Sequence, residues 1–379
     1  MAYWRERRGL SQAALGGQMN MSWRTIQDIE LGVRQADPRL SLIETAATAL
    51  QVPIEALLSD GPLPARECVD DTEIAALSEV LHRPRAHYPA REPAEDPARG
   101  VAYGWEAFQR AHYGTIGRFA PDLILDAAAA DGQDALTGAY QLASATMVKF
   151  GNRGDAMLAA DRAMTEAEGA GPVAQASAAR RYSDALTALG HHASAVEGAL
   201  TAADRLEHDL QAYGATGWSV YGMLLLKACM GAAARGDAAT VRALLGSAAR
   251  IAAELPRDAN EAWSAFNATN VRLYGVAAYV TLGDGGAAVS AATHISQDDL
   301  AALPRERRAH FMTDLAASHA LTGALDSALL VLLAAERLAP QEVHCRASTR
   351  ELVTDLLRGA RPMPETRLTA LAGRCGVAL

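Results

Sequence analysis

The side chains best suited to recognition chemistry form one short run, Ser22-Trp23-Arg24-Thr25, followed by Gln27 and Asp28. These types suit base edges better than a reaction. A guanidinium such as Arg24 pairs bidentately with guanine, and Thr25 offers a methyl to thymine. Trp23 has one donor and a broad apolar face, so it either packs on a thymine methyl or sugar or folds back as core. Asp28 is unfavourable beside DNA unless it accepts from cytosine N4 or pairs with Arg24 four residues earlier; the surface pair is the preferred reading.

Other chemistry is not signalled. His191-His192, His310, His319 and His344 are scattered, without His-Glu-x-x-His spacing or a clustered carboxylate partner, so no metal site is expected. Gly283-Asp-Gly-Gly286 lacks the Lys-Ser/Thr of a phosphate loop and reads as a helix–helix turn. Neither a Gly-x-Ser-x-Gly elbow nor a Cys–His arrangement stands out, so neither catalysis nor a cofactor is expected. Cys68, Cys229, Cys345 and Cys375 lie far apart, a spacing that fits neither a disulfide framework nor zinc and suits a reducing compartment. Residues 1–8 carry no apolar signal core, and the run 220–230 is broken by Gly222 and Lys227. The expected location is cytoplasmic, away from membranes.

The elements that must position the polar run are short helices. Half of the residues are hydrophobic but only 5% are aromatic, and the excess is Ala, which favours closely packed helices and an all-α fold. Within residues 1–60, five helices are expected. The first stops at Gly9, Ser11 caps the second, and Asn20 tolerates the left-handed turn that follows. Ser22 caps the third, which Gly32 ends; Ser41-Leu-Ile-Glu44 is a capping box for the fourth, and Pro53 opens the fifth over 54–58. Leu10, Leu15, Ile26 and Ile29 fall at spacings that form one small core, leaving Trp23, Arg24, Gln27 and Asp28 outside.

Arg5-x-x-Arg8-Gly9-Leu10-Ser11-Gln12-x-x-Leu15, then Ser22-x-x-x-Ile26-x-x-Ile29-Glu30-x-Gly32, closely resembles the phage-repressor (XRE, Cro-C1) helix-turn-helix. The stretch Leu42-Ile-x-x-Ala46-x-x-Leu50-x-Val52-x-x-x-x-Leu57-Leu58 continues the likeness. The resemblance implies that Gln12 bonds a phosphate, that Ser22, Trp23, Arg24, Thr25 and Asp28 face the DNA, and that Gln27 lies near its backbone. It also implies an internal ion pair between Arg5 and Glu30. At Gly16 the family prefers Ala, so the second helix is expected to be looser by about 1 kcal/mol, and Gly17 adds to this. The wider arrangement looks like actinobacterial regulators that join such a domain to tetratricopeptide repeats, whose sensing half answers to a peptide or small molecule.

Charge agrees with a small reading head on an acidic body. The chain carries a net −9, whereas its first 39 residues hold six Arg against four acids. A mildly basic head binds DNA weakly alone, so a homodimer on a double-stranded, roughly palindromic operator is expected. Basic residues are almost all Arg; only Lys149 and Lys227 are Lys, which reads as codon bias.

Residues 61–100 read as a linker with one short helix at 71–81. Pro84, Pro89, Pro93 and Pro97 then forbid a regular helix, leaving a semi-rigid or disordered connection. From 101 to 379, Ala-rich amphipathic stretches alternate with breaks at Gly151, Gly190, Gly236, Gly283 and Gly323, spaced by 39, 46, 47 and 40 residues. Such intervals suit two-helix repeats, with an ordinary bundle as the alternative. Ala156 and Ala163, Ala195 and Ala202, and Ala328 and Ala335 recur at fixed offsets, as close helix crossings require.

An effector groove is expected along the first helices of the repeats. In the fourth unit, Trp263-x-x-Phe266-Asn267-x-x-Asn270-x-Arg272-x-Tyr274 reads as one helix whose Asn amides suit a peptide backbone. In the third, Trp218 and Tyr221 share a face, with Lys227 further along. The alternative is that these aromatics fill the core of the repeats. Tyr103, Trp105, Phe108 and Tyr113 read as the core of a capping helix. Together these readings describe a DNA-binding regulator with a peptide or small-molecule effector, or else a DNA-tethered adaptor whose repeats hold a protein partner.

Overall fold

A computed structural model of the chain describes residues 1–30, 40–50, 52, 57, 71–92, 96–130, 133–359 and 366–377. Gly32, Pro53, Cys68 and most of 54–58 lie outside these, as do the side chains of Ser41 and Glu44. The described chain is all-helical.

The head is built from α1 (Ala2–Arg7), α2 (Gln12–Gln18), α3 (Trp23–Glu30) and α4 (Leu40–Leu50). Gly9 takes a φ of +64°, which ends the α1 turn, and Ser11 starts α2 by accepting from Ala14 N at 3.0 Å. Asn20, with φ +53°, makes the turn into α3. Leu15, Ile26, Ala46 and Leu50 are fully buried with Met19 and Val52 beside them, while Leu10, Leu42 and Leu57 pack at the edge and Ile29 is half-buried.

Gly16 is more than a loosened helix position. A Cβ there would sit 2.7 Å from the Met21 carbonyl oxygen, so the absent side chain lets the turn close over α2. Gly17 faces open space.

The body begins earlier than the proline-rich stretch suggests. Helix α5 (Asp71–His82) buries Leu77, Val80 and Leu81 in the same core as α6 (Pro97–Gln109), α7 (Tyr113–Ala129), α8 (Gln133–Phe150) and α9 (Arg153–Ala167). The described part of 82–100 is docked rather than loose. His82 bonds Asp155 at 2.6 Å, Arg162 donates to Tyr88 and to the Arg83 carbonyl, and Tyr88 meets the Tyr140 hydroxyl at 3.0 Å. Prolines exclude a helix there, but side-chain anchors fix an irregular path just as well. Pro97 itself opens α6, at the helix position where its missing N–H costs nothing, with Asp96 as cap.

Helical pairs follow: α10 (Pro172–Leu189) with α11 (His192–Gln211), α12 (Gly214–Ala234) with α13 (Ala238–Ala253), and α14 (Ala268–Thr281) with α15 (Gly285–Ala292). After α16 (Gln297–Ala301) come α17 (Arg305–Leu321) with α18 (Leu325–Leu338), α19 (Pro340–Cys345), and finally α20 (Ala347–Gly359) and α21 (Thr366–Arg374). Gly151, Gly190, Gly236, Gly283 and Gly323 each turn one helix into its partner at φ between +72° and +86°. Ala156, Ala195 and Ala328, five residues after their glycines, are fully buried, so paired helices cross closely. Hydrogen bonds mark the same register: Ser144 donates to the Ala156 carbonyl and Ser183 to that of Ala195, each twelve residues on.

Head and body touch through aromatic contacts. Trp4 packs edge-on against Tyr103, and the Arg8 guanidinium lies 5.0 Å from the Tyr103 ring centre and 5.3 Å from that of Phe119. Tyr103, Trp105, Phe108 and Tyr113 are all buried in the entrance core.

Two glycines one residue apart should respond in opposite directions. Gly17→Ala is expected to stabilise α2 by about 0.5–1 kcal/mol through helix propensity. Gly16→Val should destabilise the head by about 1–3 kcal/mol, because the added carbons meet backbone. Amide hydrogen exchange in α2 and α3 measures both; equal effects would remove the close-approach role of Gly16.

Candidate DNA-reading helix and the cavity of the body

Three side chains lock the pose of α3. Arg5 donates two parallel hydrogen bonds to Glu30, at 2.7 and 2.9 Å, and a third to the Leu10 carbonyl at 3.0 Å. Gln12 donates to the same carboxylate at 2.9 Å. Burial works to raise the Glu30 pKa, but these bonds hold it below the usual carboxylate value. A bidentate guanidinium–carboxylate pair fixes angle as well as distance, so α1, α2 and α3 form one rigid unit. Gln12 is thus engaged inside the head, whereas a phosphate contact was implied for it.

Ser22 caps α3, accepting from Thr25 N at 3.1 Å, and its hydroxyl meets that of Thr25 at 2.8 Å. Trp23 is 48% exposed, which removes the reading that it folds into the core. Arg24 is exposed and lies over the Trp23 ring, 5.4 Å from its centre. No ion pair joins Arg24 to Asp28, so the preferred surface pair is corrected; stacking on the indole takes its place. Thr25, Gln27 and Asp28 are half-buried, with Ile26 anchoring the inner face. The outer side of α3 therefore offers an indole, a guanidinium and short polar groups to solvent.

The second site lies in the body, where helices distant in the chain meet. Lys149 on α8 meets Glu306 on α17 at 2.5 Å and Glu342 on α19 at 2.8 Å, with His310 Nδ1 at 3.1 Å. Tyr113 also donates to Glu342, and Gly114 N donates to Gln341 at 3.2 Å. His310 therefore does have clustered carboxylates, contrary to the sequence expectation. Glu306, His310 and Glu342 converge closely enough to hold a cation, and the Lys149 ammonium lies among them. Burial alone would raise the Glu342 pKa; Lys149 brings it down to about 2, and Glu306 is held well below its ordinary value in the same way.

This closure frames a cavity of 640 Å³. Seven Lys and Arg side chains line it against three carboxylates. Asp184 serves both Lys227, at 2.8 Å, and Arg181, at 3.2 Å. Arg307 donates to Asn270 Oδ1 at 3.1 Å and stacks over Tyr274. Burial would raise the Tyr274 pKa, yet Lys227 and Arg307 hold it below its ordinary value. Arg180 is 1% exposed, and burial together with neighbouring Arg181 brings its pKa down to about 9.

The residues expected to line an effector groove divide. Trp263 and Asn270 line this cavity. Trp218 lines a separate apolar pocket with Ile251, Leu255 and Pro256, and Tyr221 packs edge-on against it. Asn267 is buried as the cap of α14, accepting from Asn270 N at 3.0 Å, and donates to the Ala259 carbonyl. Arg272 faces Asp299 and the His294 carbonyl on the outside. The expected helix over 263–274 begins only at Ala268, because Ala262, Trp263 and Ala265 have φ near +50°. Left-handed non-glycine residues are costly, and three of them shape one wall of the cavity. Lys149, Arg180, Arg181, Asp184, Tyr274 and Arg307 were not singled out as site residues. The available signal was the lysine count, since both lysines of the chain line this cavity.

Geometry thus defines an all-α protein with an exposed polar helix at one end and a half-open, cation-rich cavity in a repeat-like body. Residues 1–57 match the family described as helix-turn-helix, so the head is a helix-turn-helix of the kind transcriptional regulators carry. Against the curated proteins nothing matches. Among the described residues no helix is long and apolar enough to cross a membrane.

Removing the ammonium at the closure tests its weight. Lys149→Met leaves two buried carboxylates without their counter-ion and is expected to cost about 3–5 kcal/mol at neutral pH. Glu306 and Glu342 have depressed folded-state pKa values, so their stabilising contribution is present above about pH 4.5 and is lost as pH falls toward about 2. The gap between wild type and Lys149→Met should therefore be largest near pH 7 and shrink below about pH 4.5 in denaturant titrations. A gap that stays constant with pH would show that Lys149 acts by packing instead.

Proposed function

We propose that the protein is a sequence-specific DNA-binding transcription regulator whose tetratricopeptide-like body binds a peptide or small-molecule effector. The observation that carries the reading is the outward face of α3, where Trp23 and Arg24 stand exposed on a head braced by Arg5 and Glu30. A short, rigidly held helix with polar outer side chains fits the major groove. Two such heads, brought together in a homodimer, read a palindromic operator. The volume of the cavity, 640 Å³, is that of a small-ligand site, which favours a small ligand over the protein partner of an adaptor.

Helix α6 supplies the physical connection between the two sites. Tyr103 on α6 receives Trp4 and Arg8 of the head, while Phe108 and Gln109, one to two turns further on, line the cavity. That separation is about 8 Å along the helix axis. An effector that shifts the end of α6 therefore moves the platform on which the head rests. Coupling of this kind biases how two rigid heads are held relative to their half-sites, and effector and operator then alter each other's affinity by the same factor.

Arg24→Ala should lose about 1–3 kcal/mol of discrimination per half-site while effector binding in the body is unchanged. The check is a gel-shift titration against operator DNA selected from a random pool. If Arg24→Ala binds that operator as tightly as wild type, α3 is not the reading helix.

A further inference from the structure

Hydrogen-bonding groups around the cavity are unbalanced in one direction. The Arg180 Nε, Arg181 Nε and Asn270 Nδ2 atoms are buried without partners. All three are donors, and all three residues line the same cavity. The Asn270 amide orientation follows from Arg307, whose Nε needs the Oδ1 oxygen as acceptor. Among the described residues, no carboxylate lies within ion-pair reach of Arg180, which is buried, or of half-buried Arg307, although Glu306, Asp314 and Glu342 act on Arg307 from further away and help hold its pKa above the ordinary value. Tyr274 is their common neighbour: the Arg307 guanidinium lies 5.1 Å from its ring centre, Lys227 bonds its hydroxyl at 2.9 Å, and Tyr274 is close enough to Arg180 to favour its charged form.

Leaving buried cations and donors without acceptors is costly unless a ligand supplies what is missing. The complement is a group with several acceptors and a negative charge. The remaining wall is apolar, with Val148, Met223, Met230, Phe108 and Trp263 facing the space. Its volume falls in the range typical of small-ligand sites.

We infer that the cavity binds an organic anion, with its charged head at Arg180, Asn270 and Arg307 and its apolar body against Met223, Met230 and Trp263. This deepens the effector reading proposed above and rests on it. A carboxylate and a phosphate monoester share the required chemistry. Either would accept from the Arg180 and Asn270 donors, offset the excess positive charge, and leave Lys227 and Asp184 paired as they are. The strained segment at 262–265, tied to α6 by two Asn260–Gln109 hydrogen bonds of 2.9 Å, lies at the same wall, so the occupant reaches α6 directly.

The test is thermal unfolding of the full chain, without DNA, in rising concentrations of three probes. These are 4-phenylbutyrate, phenyl phosphate and the neutral 4-phenylbutanamide. At least one anion is expected to raise the midpoint saturably while the amide does not, and the anion that does so identifies the head group. Arg180→Met, which removes an uncompensated buried cation, should raise the midpoint of the free protein and weaken anion binding by roughly tenfold to a hundredfold. Asn270→Asp keeps the Arg307 contact and places a charge against the incoming anion, so it should fold and also lose the response. An amide that binds as well as the acid, no response to either anion, or an Asn270→Asp protein that responds as wild type would each overturn the inference. A gel shift in the same solutions separates this from the regulator reading. Anion binding without any change in DNA affinity would overturn the coupling and keep the anion site, whereas intact DNA binding with no anion response overturns the anion site alone.

Discussion

The body depends on one ammonium. Lys149, near the end of α8, reaches Glu306 and Glu342 across 157 and 193 residues of chain, and those contacts convert a stack of helical pairs into a closed turn. A repeat array otherwise holds only nearest neighbours together. Three carboxylate oxygens, one of Glu306 and two of Glu342, surround the ammonium at 2.5–2.9 Å, an arrangement suited to a compact ammonium and poorly suited to a planar guanidinium. That geometry accounts for lysine here in a chain whose other cations are nearly all arginine. Desolvating such a group is expensive, so the cluster contributes little net stability. Its effect is to fix which helices meet, and with them the size and lining of the cavity.

The same closure explains why polarity concentrates at this point. Ala-rich pairs cross closely because Ala156, Ala195 and Ala328 leave no side chain between their backbones, and such crossings hold no space for polar groups. Charged side chains from α8, α10, α12 and α17, with Asn270 and Tyr274 of α14, line the space that the packed pairs do not fill. Buried and half-buried carboxylates there are already committed, Glu306 and Glu342 to Lys149 and Asp184 to both Lys227 and Arg181, while the third lining carboxylate, Glu351, is exposed. Arg180 and Arg307 have no carboxylate within ion-pair distance among the described residues, but Glu306, Asp314 and Glu342 help hold the Arg307 pKa above its ordinary value from further away. Arg180, whose pKa burial and Arg181 bring down, is the cation left without a paired carboxylate.

Most of the local structure was legible in the residues. Ser11 and Ser22 caps, the Asn20 turn and the five left-handed glycines are decided within a few positions of the chain, where propensity and capping dominate. The Leu15 and Ile26 core follows from helical spacing alone. Features set by distant partners were not legible. Lys149, Glu306 and Glu342 have no common motif, and His310 looked isolated because its carboxylate neighbours come from another turn of its helix and from α19. Trp263, Phe266 and Asn270 mimic a helical spacing, yet Asn267 is a cap and the residues before it are left-handed. The prolines at 84 and 89 correctly excluded a helix but said nothing of docking, which Tyr88 and Arg162 decide through tertiary contact. Lysine scarcity was visible, but that both lysines meet at one cavity was not.

The rigidity of the head limits how a signal can reach α3. With Arg5 gripping Glu30 and the Leu10 carbonyl, and Gln12 bonded to the same carboxylate, the reading helix cannot tilt without breaking several charge-assisted bonds at once. Contact between head and body includes aromatic and cation–π packing around Tyr103 and Phe119 and a hydrogen bond between Arg8 and Tyr103. Under the proposed effector reading, a signal would then move the head as a whole, and the largest response a ligand could produce equals its difference in affinity for the two head positions. A charged effector would contribute to that difference through its distance to the cations of the cavity, since the interaction of two charges varies inversely with their separation.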